Sequence, residues 1–269
     1  MWARSSSTLC WSGLVWATAS KPYTSFIRLA LARVARRITV DNFRVSIPTS
    51  FAQICADRHS TRGFLSQAVP AEVLEQLLIT ARMAPSGANL QPGTFTQVKG
   101  SVREELSADL VRAWRAGEAE VEDYDYFPKP MPMTLRKRQV AAAQALYGAL
   151  GVPREDRQGR DAQFERNFRF FDAPVALVIT LEHGFGSGGY MDLGMALYGF
   201  MLAAQAHGLS TCAIGAMASY PTRIREHLAL TPNSVVVCGM ALGYADPDAP
   251  VNQTRTERCA LSDYFRVVG

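Results

Sequence analysis

Arg58, Ser60 and Arg62 stand at alternate positions of one short segment, with a hydroxyl group between two guanidinium groups. On an extended backbone, side chains two residues apart point to the same side, so these three share one face. Two guanidinium forks beside a hydroxyl suit a phosphate dianion that carries a polyol. A solvated basic patch explains these three residues equally well.

A second polar stretch, residues 84–92, reads Ala-Pro-Ser-Gly-Ala-Asn-Leu-Gln-Pro. Two prolines and a glycine restrict its backbone, while Ser86, Asn89 and Gln91 offer hydroxyl and amide groups. A rigid loop that presents such groups suits a flat heterocycle with several carbonyls and ring nitrogens. The bare pattern is also consistent with a simple capped turn.

Gly184, Gly186 and Gly189 match the G-x-G-x-x-G pattern of dinucleotide-binding turns, between a predicted strand and a predicted helix. Asp192 is predicted in the first turn of that helix, where its charge would oppose a pyrophosphate at the helix N-terminus. Residues 209–215 contain no acid to bind a ribose hydroxyl. We therefore interpret the glycines as a plain strand-to-helix turn.

Hydrophobic periodicity predicts helices alternating with strands from residue 51 onward, without internal repeats, and hence an α/β sandwich. The predicted helices are 70–84, 101–117 (opened by a capping box of Ser101 and Glu104), 134–150, 154–171, 190–207 and 221–228. The predicted strands are 94–99, 173–181 and 234–242. The helix 190–207 is apolar almost all round, which predicts burial in the core or against a partner subunit.

The net charge of +4 comes from the first 40 residues, which hold six basic residues and no acidic one. The rest of the chain has 22 basic and 24 acidic residues, a net charge of −2, and so lacks the basic surface that nucleic-acid-binding domains need. No apolar run approaches the roughly 20 residues that cross a bilayer. We expect a soluble protein that binds neither nucleic acid nor membrane.

The five cysteines are odd in number, lie far apart and form no C-x-x-C pair. This spacing predicts neither a zinc site nor a disulfide framework, and it favours a reducing, cytoplasmic location. Residues 1–45 are expected to be a poorly ordered basic extension, ahead of one domain over 46–269. The extension has the composition of a transit peptide, which would make the protein organellar, and equally that of a stretch added by a misplaced start codon.

Several segments together resemble FMN-dependent nitroreductases. In chain order they are Arg58–Phe64, Ala84–Pro92, Tyr190–Gly194, Gly208–Cys212, Cys238–Tyr244 and Asn252–Arg258. They span roughly residues 52–265, and their shared order makes the resemblance more specific than any one motif. The loop Tyr124–Pro128 resembles a subgroup associated with nitrobenzene- or nitrobenzoate-like substrates.

The resemblance implies a three-layer α/β (α+β) sandwich with a mixed sheet flanked by helices, built as an intertwined homodimer with one FMN in each of two interface clefts. It assigns the FMN phosphate and ribityl chain to Arg58, Ser60 and Arg62, with His59 contributing mainly backbone. It assigns the approach to the flavin from the partner subunit to Pro85, Ser86, Gly87, Asn89 and Gln91.

The remaining cofactor-binding residues implied by the resemblance lie in the second half of the chain. Gly215 and Ala216 match the segment beside the flavin N5 edge, and Arg255 matches a second phosphate-binding arginine. Gln253 and Gly93 depart from the family pattern. Relatives often have a basic residue at the position of Gln253, and they commonly have tryptophan at that of Gly93.

The implied activity is ping-pong electron transfer from NADH or NADPH to a nitroaromatic or quinone-like acceptor. FMN performs the hydride transfer, so no catalytic side chain and no metal site are predicted. Tyr124, Tyr126 and Phe127 are expected to stack on the small aromatic acceptor, and packing over the dimer is an equal alternative. Two other functions stay open: dehalogenase or flavin-modifying chemistry on the same fold, and flavin binding without turnover.

Overall fold

The computed structural model describes residues 50–269, so the extension predicted over 1–45 lies outside the described residues. The α-helices of this region are α1 (Phe51–Asp57), α2 (Ala71–Ala81), α3 (Gly100–Arg115), α4 (Met133–Ala149), α5 (Arg157–Glu165), α6 (Ser187–Ala206), α7 (Pro221–His227) and α8 (Leu261–Tyr264). Its strands are β1 (Thr94–Val98), β2 (Val175–Glu182), β3 (Ser210–Ile214) and β4 (Ser234–Gly243). Four 3-10 turns lie between them, at Gly87–Asn89, Arg166–Asp172, Gly215–Ser219 and Pro250–Gln253.

The four strands form one sheet in the order β1-β2-β4-β3, and each neighbouring pair is antiparallel. The sheet is therefore antiparallel and not the mixed sheet that the resemblance implies; one isolated parallel bridge joins Ser60 to Thr211 on the edge strand β3. An antiparallel sheet does not provide the parallel βαβ unit of a dinucleotide-binding domain. The interpretation of the glycines at 184–189 as a plain turn therefore agrees with the topology.

Both faces of the sheet are covered by helices, because β2 is apolar at consecutive positions and its side chains alternate between the two sides. Val175, Leu177 and Ile179 enter one core, where α2 and α6 pack together. Ala176 and Val178 enter the other core, under α3 and α7. The result is helix, sheet, helix: the predicted three-layer sandwich.

Several predicted helix boundaries are wrong, among them the end of the helix predicted over 70–84, which stops at Ala81. The helix predicted over 154–171 ends at Glu165 and gives way to a 3-10 turn, where Phe170 and Phe171 have φ of 52°. Those left-handed residues bring Phe168, Phe170 and Phe171 into the core with exposed fractions of 1% or less. A regular helix would instead spread three such closely spaced rings around its axis.

Two further errors concern the first residue of helix α6 and the cap of helix α3. Helix α6 begins at Ser187 and not at Tyr190, so Asp192 lies in the second turn. Helix α3 begins at Gly100, with no side-chain cap, so the capping box predicted from Ser101 is wrong. The short elements α1 and β3 were not predicted at all.

Candidate functional site

The segment from Arg58 to Arg62 runs beside the edge strand β3. Thr61 donates its backbone N–H to the Thr211 carbonyl at 3.0 Å, and Thr61 is fully buried. Arg58 ends helix α1 in an extended conformation. Because the segment pairs as a strand, its alternate residues share one side, as the spacing predicts.

The pKa of the buried Cys212 thiol on β3 depends on the three side chains of this segment. Burial raises its pKa, while the positive charges of Arg62 and Arg58 and a hydrogen bond with Ser60 oppose that rise. The bridge between Ser60 and Thr211 places the backbone of this segment beside Cys212 on β3. His59 is placed differently: its Nδ1 lies 2.8 Å from the Asp57 carbonyl, so the ring is held on its own backbone.

The arginines of this segment carry positive charge that the described residues do not neutralise. Within residues 50–269, no carboxylate forms an ion pair with Arg58 or Arg62, whereas Arg223 pairs with three. The Nε atom of Arg58 is buried and has no hydrogen-bond partner within that region. A buried donor without an acceptor is costly, so the position favours an anion.

Asn252 lies almost 200 residues later in the chain, and its side chain connects that later stretch to the arginine segment by hydrogen bonds. Its Oδ1 accepts hydrogen bonds from the backbone N–H groups of Arg62 and Gly63, at 2.9 and 3.1 Å. Its Nδ2 donates to the carbonyls of Gly63 and Asp246, both at 2.8 Å. The amide is buried and uses its full hydrogen-bonding capacity, which fixes the two stretches relative to each other. Sequence reasoning missed this residue, which lay inside a motif without being singled out.

Gln253 and Arg255 follow this junction on the protein surface. Arg255 donates from Nη1 to the carbonyls of Asn252 and Thr254, at 2.8 and 2.9 Å. The Asn252 junction thus brings the backbone that carries Arg255 next to Arg62. The guanidinium group of Arg255 itself is held on its own turn.

The loop of residues 85–91 is rigid for reasons visible in its backbone. Asn89 and Gln91 have φ of 57° and 50°, in the left-handed region. Ser86 Oγ accepts from the Gln91 N–H at 2.9 Å, and Asp192 on α6 accepts from the Gly87 N–H at 3.0 Å. The acid that argued against a dinucleotide turn therefore anchors this loop.

The same loop makes no direct hydrogen bond to the arginine segment within one chain. Among the hydrogen bonds of residues 50–269, none joins residues 85–91 to residues 58–62 or 250–255. Pro85, Ser86 and Gln91 instead line a separate cavity of about 300 Å³. This separation is consistent with a loop that serves the site of a partner subunit.

Gly93, at the end of that loop, has φ of +101°. A Cβ atom built there would lie 2.6 Å from Leu193 Cδ1. The left-handed backbone disfavours a side chain at this position, and the flexible end of Leu193 would have to move to make room for one. Glycine in place of the family's tryptophan therefore removes an anchoring ring, and it also goes together with a left-handed backbone at this position.

The aromatic loop, residues 124–128, packs against the turn that follows β3. A Cβ on Gly215 would lie 2.9 Å from the Tyr126 ring, so this glycine permits the close approach. Tyr126 and Phe127 form an edge-on pair with ring centroids 4.7 Å apart, and about half of each residue is exposed. Tyr124 is half-buried and donates its hydroxyl to the Val237 carbonyl at 2.7 Å. The structure thus brings Tyr126, one of the predicted substrate residues, against Gly215.

Acidic residues before the aromatic loop hold it in place. Asp123 accepts from Arg225 at 2.6 Å and from the Val236 N–H at 2.9 Å. Glu118 and Glu120 pair with Arg223 on the same helix, α7. These contacts link the loop to α7 and β4, so its position depends on the folded core.

The arrangement belongs to a known family. The family model described as "Nitroreductase family" matches residues 55–244, most of the described region. This chain is a member of the nitroreductase family.

The relatives of this nitroreductase-family chain match nearly their whole length. It is 36% identical over 225 residues to the chloronitrobenzene nitroreductase of Comamonas testosteroni, which covers 82% of this chain and 99% of the relative. It is 35% identical, with the same coverage, to the nitrobenzene nitroreductase of Ectopseudomonas oleovorans. Its fold matches the FMN- and NADPH-dependent nitroreductase NfnB from Sphigopyxis sp. strain HMH with a TM-score of 0.78, at 34% identity, over 82% of this chain and all of that one.

The arginine segment fits the phosphate end of FMN, the cofactor named for that NfnB. The Nε atom of Arg58 is a buried donor for which the described residues supply no acceptor. Two guanidinium groups around a hydroxyl provide charge and hydrogen bonds for a phosphate. Among residues 50–269 no group of three or more histidine, cysteine, aspartate or glutamate side chains is placed to bind a metal ion.

Proposed function

We propose that this chain is an FMN-dependent oxidoreductase that transfers electrons from NAD(P)H to nitroaromatic or quinone-like acceptors. The observation that carries the proposal is the uncompensated pair Arg58 and Arg62, held by the Asn252 junction. Family membership and the nitroaromatic reductases at 35–36% identity support it. No observation favours dehalogenase or flavin-modifying chemistry, or flavin binding without turnover.

FMN, when bound, supplies the two-electron redox chemistry that no side chain of the site provides. Arg58, Ser60 and Arg62 hold its phosphate end, with His59 contributing backbone. Arg255 and Gln253, which follow the Asn252 junction, would contribute to the same phosphate end. The backbone of Gly215 and Ala216 would contact the reactive edge of the cofactor, as the family resemblance implies.

The aromatic loop has two tasks in this proposal. Tyr124 anchors the loop through its bond to Val237, and the exposed rings of Tyr126 and Phe127 stack on the aromatic acceptor. Burial raises the pKa of both Tyr124 and Tyr126. Neither phenol therefore ionises near neutral pH, and both act as neutral aromatic surfaces.

Steady-state turnover tests the function. We expect purified protein to be yellow and to consume NAD(P)H over many turnovers when nitrobenzene or 4-nitrobenzoate is supplied, with the parallel reciprocal plots of a ping-pong cycle. A single stoichiometric reduction would identify a flavin store instead. Colourless protein that binds no added FMN would contradict the proposal.

We further propose a homodimer in which residues 85–91 of each subunit complete the site of the other. Helix α4 buries none of its 17 residues in the single chain. Met191 and Tyr198 on α6 are 64% and 44% exposed, and Phe265 near the C-terminus is 62% exposed. Apolar surface of this extent is typical of an interface. Sedimentation equilibrium is expected to give twice the chain mass of 29.5 kDa, and a monomer would contradict the proposal.

A cytoplasmic location is part of the same proposal. Cys55, Cys212, Cys238 and Cys259 are all free thiols, as in a reducing compartment. No helix within residues 50–269 is long and apolar enough to span a membrane. Fractionation of the native cells tests the location, and recovery from an oxidising compartment would contradict it.

A further inference from the structure

A short acidic segment, residues 118–123, connects α3 to the aromatic loop, and we call it the acidic strap. Its Glu122 accepts a hydrogen bond from the Ser219 hydroxyl at 2.9 Å. Ser219 is the last residue of the 3-10 turn that begins at Gly215. The strap is therefore fastened to the same turn against which the ring of Tyr126 packs.

The inner strand β4 contains a β-bulge beside the end of this strap. Adjacent residues of β2 lie opposite Cys238 and Val236, so Val237 is an extra residue on β4. In a regular strand the backbone N–H and C=O groups of neighbouring residues point to opposite sides, and a bulge interrupts this alternation. Strand β3 pairs with β4 from Gly239 to Gly243, so β3 does not cover the bulge. The bulge thus leaves backbone groups of β4 for another segment to bind.

Two consecutive side chains bind the bulge. Asp123 Oδ2 accepts from the Val236 N–H at 2.9 Å. The Tyr124 hydroxyl donates to the Val237 carbonyl at 2.7 Å. The N–H of one residue and the C=O of the next both face this segment, an arrangement that a bulge permits and a regular strand does not. The bulge therefore specifies where the aromatic loop docks.

Arg225 on α7 holds the Asp123 carboxylate at the bulge. It donates to the same oxygen, Oδ2, at 2.6 Å and to the Ser234 carbonyl at 3.1 Å. The side chains of Asp123 and Arg225 are 15% and 21% exposed, so water and salt screen this pair only in part. The nearby pair of Asp125 and Lys129 is 73% and 70% exposed, and pairs of that kind contribute little. We therefore expect the position of the loop to depend on the more buried pair.

The contacts at the bulge are two residues away from the ring that lies against Gly215. The ring centroids of Tyr124 and Tyr126 are 6.1 Å apart, and a Cβ on Gly215 would lie 2.9 Å from the Tyr126 ring. We propose that Asp123 is a positioning residue for the acceptor: with Arg225 it holds Tyr124 on the bulge, which fixes Tyr126 where the acceptor stacks. The proposal rests on the function proposed above, because it concerns the acceptor site of that function.

The expected consequence is selective for the acceptor. Nitrobenzene offers little besides its ring, so its binding depends on the positions of Tyr126 and Phe127. A nicotinamide dinucleotide also gains binding free energy from groups remote from its reacting ring. Loss of Asp123 is therefore expected to impair use of the acceptor more than use of the donor.

Steady-state kinetics of Asp123→Ala test the proposal. We expect the KM for nitrobenzene to rise about tenfold, since the Val236 N–H and Arg225 lose this acceptor, with kcat changed less than threefold. Lys129→Ala is the matched control, because it breaks the exposed ion pair next to the same loop, and its KM is expected to stay within twofold of the unmodified value. Asp123→Asn keeps an acceptor for the N–H and loses the charge, so its KM is expected to lie between. Asp123→Asn carries the test if Asp123→Ala does not fold.

Hydrogen exchange provides a readout that does not depend on turnover. We expect Asp123→Ala to speed amide exchange in residues 118–128 at least threefold and Lys129→Ala to leave it unchanged. Stopped-flow reduction of the flavin by NAD(P)H is expected to change less than twofold in every variant, whereas its reoxidation by low concentrations of nitrobenzene slows in the Asp123 variants.

A nitrobenzene KM in the Asp123 variants equal to that of Lys129→Ala would overturn the proposal. Equal slowing of flavin reduction and reoxidation would also overturn it, because Asp123 would then act on the fold as a whole. Failure of the proposed function is distinguishable, since the unmodified protein would then also lack turnover with nitrobenzene.

Discussion

Replacing Arg58 by alanine is expected to weaken FMN binding by about ten- to a hundredfold, since a charge-assisted contact to a phosphate contributes about 1.5–3 kcal/mol. We expect Arg58 to be the strongest phosphate ligand of the set, because it is half-buried and its Nε atom has no hydrogen-bond partner among the described residues. Fluorescence titration of the flavin-free protein with FMN measures the effect.

Riboflavin provides the control for this variant, because it carries the same ring system without the phosphate. We expect the affinity for riboflavin to change less than twofold in Arg58→Ala. The FMN affinity of Arg58→Lys is expected to lie between those of the unmodified protein and Arg58→Ala, since lysine keeps the charge and loses the paired donors of the guanidinium group. Arg255→Ala is expected to have the smaller effect, because that side chain is exposed and held by backbone carbonyls. Equal losses for FMN and riboflavin would show that Arg58 acts through packing alone.

Replacing Asn252 by alanine is expected to have the largest effect on stability. It leaves the Arg62 and Gly63 N–H groups without their acceptor, at a cost of about 1–3 kcal/mol for each buried group. With a total on the order of 3 kcal/mol, Tm is expected to fall by about 6–12 °C. FMN affinity is expected to fall with it, because Arg62 loses its fixed position.

Asn252→Asp tests the acceptor role and the donor role of this side chain separately. Aspartate keeps the acceptor for both N–H groups and loses the donor to the Gly63 and Asp246 carbonyls. We expect a Tm between those of the unmodified protein and Asn252→Ala, measured by differential scanning fluorimetry. A Tm and FMN affinity for Asn252→Ala equal to those of the unmodified protein would rule out the junction as the element that holds the two stretches together.

The layers and the extended geometry of residues 58–62 were predictable because their signals are local. Strands such as β2 are runs of consecutive apolar residues, and the alternate spacing of Arg58, Ser60 and Arg62 encodes a shared face on any extended backbone. The resemblance to nitroreductases rests on the order of several motifs along the chain, which the spacing within any one motif does not reveal.

The parts that escaped prediction depend on distant contacts. Asn252 has partners 189 and 190 positions away, and an asparagine in a loop has no local signal for them. The edge strand β3 has five residues and follows a helix-ending glycine, so its pairing with β4 and with Ser60 is visible only in the fold. The paired left-handed residues Phe170 and Phe171 are likewise dictated by the core, against local preference.

The crystal structure of the protein with FMN bound tests the central claim most directly. We predict that the FMN phosphate oxygens lie about 2.7–3.0 Å from guanidinium nitrogens of both Arg58 and Arg62, with the Asn252 side chain still joining the two stretches. A phosphate bound elsewhere, with those arginines facing solvent, would contradict this account.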